Sequence, residues 1–162
     1  MAGDPKAGNP KAGDPKAGDP KAGDPKAGDP RAGDRRRSQA AKLGLRPGQR
    51  IGYVNRPPSW ALDDPPAGLA DAGPDGPADV LIAFFGVAAE IPAELPGLAR
   101  RVFPAGAIWA AWPRRAAGHH SDITDNVMRE HALPLGLVDV KVAAIDEDWS
   151  GLRLVWRVEN RG

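Results

Sequence analysis

Apolar and polar positions divide the chain into two stretches of different character. Over residues 2–31 the unit Ala-Gly-Asp-Pro-Lys recurs, with Asn9 replacing Asp in one copy and Arg31 replacing Lys in the last, before decaying into Ala32-Gly33-Asp34-Arg35-Arg36. An alanine methyl is the only group in the unit with anything to bury. Proline at every fifth position removes a backbone donor and pushes its predecessor out of the helical region, while glycine adds chain entropy. The pattern predicts a disordered segment that stays extended and solvated. A collagen helix needs glycine at every third position, and a pentapeptide-repeat coil needs an apolar residue in each unit, so both are excluded.

Beyond the repeats the pattern changes to short apolar runs alternating with amphipathic ones. Residues 50–55 (Arg-Ile-Gly-Tyr-Val-Asn) predict a short strand stopped by Arg56-Pro57-Pro58. Residues 79–86 form a continuous apolar run of the length and β-branched content of a central parallel strand. Ile91, Leu95, Leu98 and Val102 then fall on one face of a helix. Pro92 is tolerable near its start, whereas Pro96 is expected to bend the helix or mark its true beginning. Arg100 and Arg101 fall in the last turn, where cations suit the helix dipole. Residues 107–112 predict a second buried strand ending at Pro113. Ser121 or Asp122 is expected to cap a helix running to His131 or Leu135, with Gly136 closing it and Pro134 distorting its last turn. Residues 138–145 and 152–158 predict two further strands joined through residues 146–151 as an antiparallel pair. This order defines an open α/β fold: a small, mostly parallel, Rossmann-like sheet with an antiparallel C-terminal strand. The expected organisation is a repeat tail and basic linker over residues 1–42 and a single α/β domain over residues 43–162.

Composition agrees with one domain. All five tryptophans, the three phenylalanines and the single tyrosine lie beyond residue 50, so the material for a core is confined to that part. A domain of about 120 residues buries enough surface to be self-sufficient. The absence of cysteine excludes disulfides and thiolate metal sites and fits a reducing compartment. The N-terminus has no apolar stretch of the secretory kind, and no run of about eighteen uncharged apolar residues occurs anywhere. A cytoplasmic location and no membrane partner are therefore expected. The net charge of +1 conceals a basic surplus around Arg31, Arg35, Arg36, Arg37 and Lys42 and an acidic surplus beyond it. The domain's composition argues against nucleic acid as a partner. The arginine run, with no interleaved aromatics, reads as an exposed linker.

Asp79-Val80-Leu81-Ile82, then Phe103-Pro104-Ala105-Gly106-Ala107-Ile108-Trp109, then a helix, a strand and an antiparallel last strand resemble the second half of a class I methyltransferase fold. A more specific set comprises Leu43-Gly44 with Pro47-Gly48, Trp112-Pro113-Arg114-Arg115, Asp125-Asn126-Val127 with Arg129-Glu130, Gly136 through Val142, and Trp149-Ser150-Gly151-Leu152-Arg153. It resembles the small bacterial proteins grouped as domain-of-unknown-function family 3052. That resemblance spans about residues 40–160 and implies an architecture. It carries no catalytic or binding residue across.

A cofactor-using methyltransferase needs a glycine-rich turn after its first strand, where backbone approaches the cofactor, and an acidic residue ending the second. Here Asn55-Arg56-Pro57-Pro58 places prolines where glycines belong, and the stretch to Asp79 is too short for the missing β-α-β segment. Methyl transfer is therefore not inherited from the fold, and no cofactor is expected. What remains is the crevice outside the carboxyl ends of the strands, reached by the loops at residues 55–60, 86–90 and 113–122. Arg114, Arg115 and Arg56 are its candidate anion-binding residues, with Trp60, Trp112, His119, His120 and Asp122 lining it. The competing expectation pairs Arg114 and Arg115 with Asp122, Asp125 or Glu130 as surface charges.

His119-His120-Ser121-Asp122 invites a metal, but adjacent histidines in an extended loop point apart and no third ligand is close in sequence. Asp146, Glu147 and Asp148 read as a solvated loop rather than a cation site. No nucleophile-elbow or Ser-His-Asp pattern is present. Two functions follow. One is a non-catalytic interaction or ligand-binding module, taking a protein partner or a small anionic ligand. The other is an enzyme that binds an anionic small molecule at the crevice.

Overall fold

The computed structural model describes residues 39–161, so the expectations for the repeats and for Arg35, Arg36 and Arg37 lie outside the described residues. Six strands, β1 (Arg50–Val54), β2 (Ala70–Asp71), β3 (Val80–Phe84), β4 (Ala107–Pro113), β5 (Leu137–Ala144) and β6 (Trp149–Trp156), form one sheet. The helices are α1 (Gln39–Lys42), α2 (Glu90–Arg101) and α3 (Asp125–Ala132). In space the strands run β2-β1-β3-β4-β6-β5. Pairing is parallel from β2 through β4, whereas β6 is antiparallel to both β4 and β5. This is the mostly parallel open sheet with an antiparallel last strand that the pattern predicts. Its centre is β3, Val-Leu-Ile-Ala-Phe, buried at all five positions, as a strand covered on both faces requires.

The folded part begins earlier than residue 43. Ala40 is only 2% exposed, Gln39 Nε2 donates to Ile145 O at 2.7 Å, and Gln39 Oε1 accepts from Asp63 N at 2.9 Å. A single turn, Gln-Ala-Ala-Lys, has no periodicity to announce it, and it is tertiary contact that holds it. Residues 39–42, read from the pattern as linker, therefore pack with the domain.

Along α2, Ile91, Leu95, Leu98 and Ala99 are buried, and the helix runs unbroken from Glu90 through Pro96, which does not mark its start. Glu90 Oε1 accepts from Gly86 N (2.7 Å) and Val87 N (3.3 Å), fixing the turn that enters the helix. Arg101 does more than complement the dipole. Its Nε donates to Gly76 O (2.7 Å) and its Nη2 to Gly73 O (2.8 Å), which ties the β2–β3 connection to α2.

α3 is capped by Thr124, whose Oγ1 accepts from Val127 N at 3.1 Å, and not by Ser121 or Asp122. Those two are spent on loop backbone, Ser121 Oγ accepting from Ile123 N (3.1 Å) and Asp122 Oδ1 from Ala88 N (2.9 Å). Pro134 falls in a 3-10 turn, Leu133–Leu135, and Gly136 closes it at φ 98°, a conformation that favours glycine. The β5–β6 turn is shorter than expected. Trp149, Ser150 and Gly151 belong to β6, and Asp146 Oδ1 nucleates the turn by accepting from Asp148 N (2.8 Å) and Trp149 N (3.0 Å).

Trp109 and Trp112, three positions apart on β4, enter opposite cores, as strand alternation demands. On one side, the helix face, Leu81, Ile108, Trp112, Leu152 and Leu154 meet the apolar stripes of α2 and α3. On the other, the loop face, Ile51, Val80, Ile82, Phe84 and Trp109 are covered by α1, Leu43, Leu45 and Trp60. The two connections around β2 lack helices. Residues 55–69 send Trp60, Leu62 and Leu69 to the loop face, and residues 72–79 send Ala72 and Ala78 to the helix face.

Candidate functional site

The chain leaves β1 toward β2 on one side and leaves β3 toward β4 on the other, so the switch point of the sheet lies between β1 and β3. Asn55 stands there, at the end of β1, with φ 55°. Its Nδ2 donates to Phe84 O (3.4 Å) and to both carboxylate oxygens of Glu94 (2.9 and 3.1 Å). One amide thus joins the ends of β1 and β3 to the first half of α2. Asparagine is among the few residues other than glycine that adopt the left-handed region, and here its side chain is held by partners distant in sequence.

Arg56 turns away from the loop at residues 113–122. Its guanidinium carbon sits 4.8 Å from the centroid of the Tyr53 ring. Trp60, expected to line the crevice, is 8% exposed in the loop-face core, where its Nε1 donates to Asp146 Oδ2 at 2.7 Å. Trp112, expected beside it, is 6% exposed in the helix-face core. The two indoles lie on opposite sides of the sheet and do not form one wall. The turn through Pro57 and the alternation of β4 separate them, and neither is visible as a contact in sequence.

The basic loop is engaged by its surroundings. Arg114 N donates to Asp148 O (2.8 Å) and Arg114 Nη1 to Glu147 O (3.2 Å). Arg115 Nη2 donates to Ser121 O at 3.1 Å. His119 Nε2 lies 2.9 Å from Asp148 Oδ1, while His120 is exposed. Neither arginine pairs with Asp122, Asp125 or Glu130, the alternative partners read from sequence. Arg129 takes Asp125 (3.2 Å) and Asp139 (3.0 Å) instead. Arg114 and His119 are therefore gathered at the acidic β5–β6 turn, Asp122 at the loop before α2, and Arg56 at Tyr53.

Burial pushes the Tyr53 hydroxyl above its ordinary pKa, with Arg56 opposing and Asp71 adding to the rise. Burial lowers the pKa of Arg153, and the cation of Arg46 lowers it further. Both side chains belong to the frame and neither faces the basic loop. Among the described residues no group of three or more His, Asp or Glu stands close enough to hold a metal ion. Among the same residues no helix is long and apolar enough to cross a membrane.

A concavity lies elsewhere. A groove of about 780 Å³ runs between α2 and the helix-less β2–β3 connection, lined by Tyr53, Val54, Asn55, Pro74, Asp75, Pro77, Glu94, Gly97, Leu98, Arg100 and Arg101. Of the sequence candidates, only the end of the 50–55 strand touches it. Two signals pointed there: a glycine in the middle of an amphipathic helix, and a stretch between Asn55 and Asp79 with no helical period to cover that side of β1.

No known family's sequence profile matches the chain, and no curated protein matches it. Among solved structures, it is similar to the magnesium protoporphyrin IX methyltransferase of Synechocystis PCC 6803, solved with bound SAM, at 10% identity and a TM-score of 0.43, over 74% of each chain. The hydrogen-bonded ladders define the class directly. The described domain is a Rossmann-like α/β protein with one antiparallel strand inside its sheet.

Proposed function

We propose that this domain is a non-catalytic binding module on a pared-down methyltransferase-like scaffold, taking its partner along the flank of α2. The observation that carries the reading is the bridge at the switch point. Nucleotide cofactors in open α/β sheets approach backbone at a glycine turn between the strand ends, whereas here Asn55 ties that position to Phe84 O and Glu94 and is followed by Arg56-Pro57-Pro58. The loop that offered an anion site spends Arg114 and Arg115 on the carbonyls of Glu147 and Ser121. The groove beside α2 remains open, and its volume falls within the roughly 300–1,000 Å³ of ligand-sized sites.

Membership of family 3052 is proposed with this reading, on the residues already quoted.

Titration of the protein with S-adenosylmethionine, phosphate, pyrophosphate and nucleotides, followed by tryptophan fluorescence and heat shift, tests the proposal. No saturable response to S-adenosylmethionine is expected, and a 1:1 saturable response would overturn the non-catalytic reading. Arg114→Ala with Arg115→Ala should change stability by no more than about 1 kcal/mol, because exposed polar contacts contribute little. A shift with anions that this double variant abolishes would favour a small-molecule site at the basic loop.

A further inference from the structure

Gly97 stands in the middle of α2 on the wall of the groove, and a β-carbon built there would meet nothing within 4 Å. Glycine inside a helix costs stability, and no contact within the chain accounts for its presence. A bare backbone on a helix flank allows a second backbone to come close. Three residues before Gly97 is Glu94, three residues after it is Arg100, and both line the same groove. Around Gly97 the helix surface is therefore reversed in charge end for end.

We propose that the groove receives a second copy of this chain, the two α2 helices crossing antiparallel at Gly97 about a two-fold axis. In that arrangement each Glu94 meets the partner's Arg100, and the contact is made twice, as an isologous interface requires. A parallel crossing would instead set like charges against each other. The Arg100 side chain makes no hydrogen bond or ion pair among the described residues, so its guanidinium is available to the partner. Glu94 accepts from the Asn55 amide and keeps lone pairs for a guanidinium. The inference rests on the reading of the α2 flank as the binding seat and specifies its occupant.

Sedimentation equilibrium of the full chain from about 1 μM to 1 mM tests it, since dimer formation follows mass action. A concentration-dependent dimer, weakened by salt, is expected. Gly97→Leu should raise its dissociation constant by at least about tenfold without lowering the melting temperature of the monomer. Glu94→Arg and Arg100→Glu should each do the same by about tenfold, and the double exchange should return the constant to within about threefold of wild type. Because Glu94→Arg also removes the bond to Asn55, melting at low concentration separates loss of fold from loss of pairing, and Arg100→Glu breaks no bond of the monomer. A wild type that stays monomeric overturns the inference. So does a dimer indifferent to Gly97→Leu, or a double exchange as weak as the single variants. A monomeric wild type leaves the non-catalytic reading to be decided by the S-adenosylmethionine titration.

Discussion

On the helix face of the sheet, Ile91, Leu95, Leu98, Met128 and Ala132 reach the core from two amphipathic helices at regular spacing. On the loop face, burial of comparable depth is achieved by a single helical turn, a proline-rich connection and a row of aromatic rings. Tyr53, Trp60, Phe84 and Trp149 stand edge-to-face in sequence, with centroids 5.9, 5.1 and 4.9 Å apart. Side-chain hydrogen bonds fasten both covers: on the helix face Trp156 Nε1 donates to Ala99 O (2.8 Å), and on the loop face several join segments far apart in the chain. Trp109 Nε1 donates to Leu43 O (2.9 Å), Trp60 Nε1 to Asp146, and Gln39 Nε2 to Ile145 O. Helices satisfy their own backbone except at their ends, and on that face it is a last-turn carbonyl, Ala99 O, that the Trp156 indole takes. An irregular segment leaves carbonyls such as Leu43 O to be satisfied by others.

The strongest test of that contrast is Trp109. Trp109→Ala should cost about 3–5 kcal/mol by leaving a large cavity, measured by urea unfolding. Trp109→Phe keeps most of the apolar volume but strands Leu43 O, a loss of about 1–3 kcal/mol. Trp112→Phe, on the helix face, should cost less, because its indole makes no hydrogen bond among the described residues. Equal losses in the two phenylalanine variants would show that the loop face does not depend on its polar fastenings.

Removal of residues 2–42 should destabilise the domain by about 2–3 kcal/mol, from the burial of Ala40 and the two hydrogen bonds of Gln39. Removal of residues 2–36 alone should move the melting temperature by no more than about 1–2 °C. If the two deletions melt alike, α1 is not part of the cover.

Glycines sharpen the comparison further. A β-carbon on Gly151 would lie 2.7 Å from Ile145 Cγ1 and 3.1 Å from Trp109 Cε3, so Gly151→Ala should cost about 1–3 kcal/mol by overpacking the loop face. The same change at Gly97, where space is open, should stabilise the monomer by about 0.5–1 kcal/mol through helix propensity. Opposite signs in thermal melts are expected, and equal signs would contradict the packing described for one of the two faces.

The smallest effect concerns pH. Because the folded-state pKa of Tyr53 is raised above the ordinary 10.0, its contribution to stability is fully present below pH 10.0 and is lost as pH rises through the folded value. Tyr53→Phe should flatten the stability profile in that alkaline range and leave the neutral range unchanged.

These differences explain what could be read without coordinates. The stripe Ile91, Leu95, Leu98 and Val102 and the runs at residues 79–86 and 107–112 announce themselves by period and length, because the faces they bury are set by the backbone repeat. The sheet class follows from their order. Gly136 was legible for the same local reason, a φ of 98° after a helix. The candidate site was less legible. Arg114, Arg115 and His119 share the segment after β4, but nothing local shows that Glu147, Ser121 and Asp148 would occupy them. Trp60 and Trp112 were drawn together because one follows the 50–55 strand and the other closes the 107–112 strand, whereas the sheet lies between them.

The sequence by itself determined the helices of one face and the buried central strands, since each depends on side chains a few residues apart. Only the tertiary structure decided that α1 belongs to the domain, that Asn55 bridges β1 to β3 and α2, and that the open concavity lies beside Gly97. Those features depend on hydrogen bonds and contacts between residues brought together from distant parts of the chain, such as Gln39 with Ile145 and Asn55 with Glu94. No local preference records such pairings, because their free energy exists only once the sheet has brought the partners within reach.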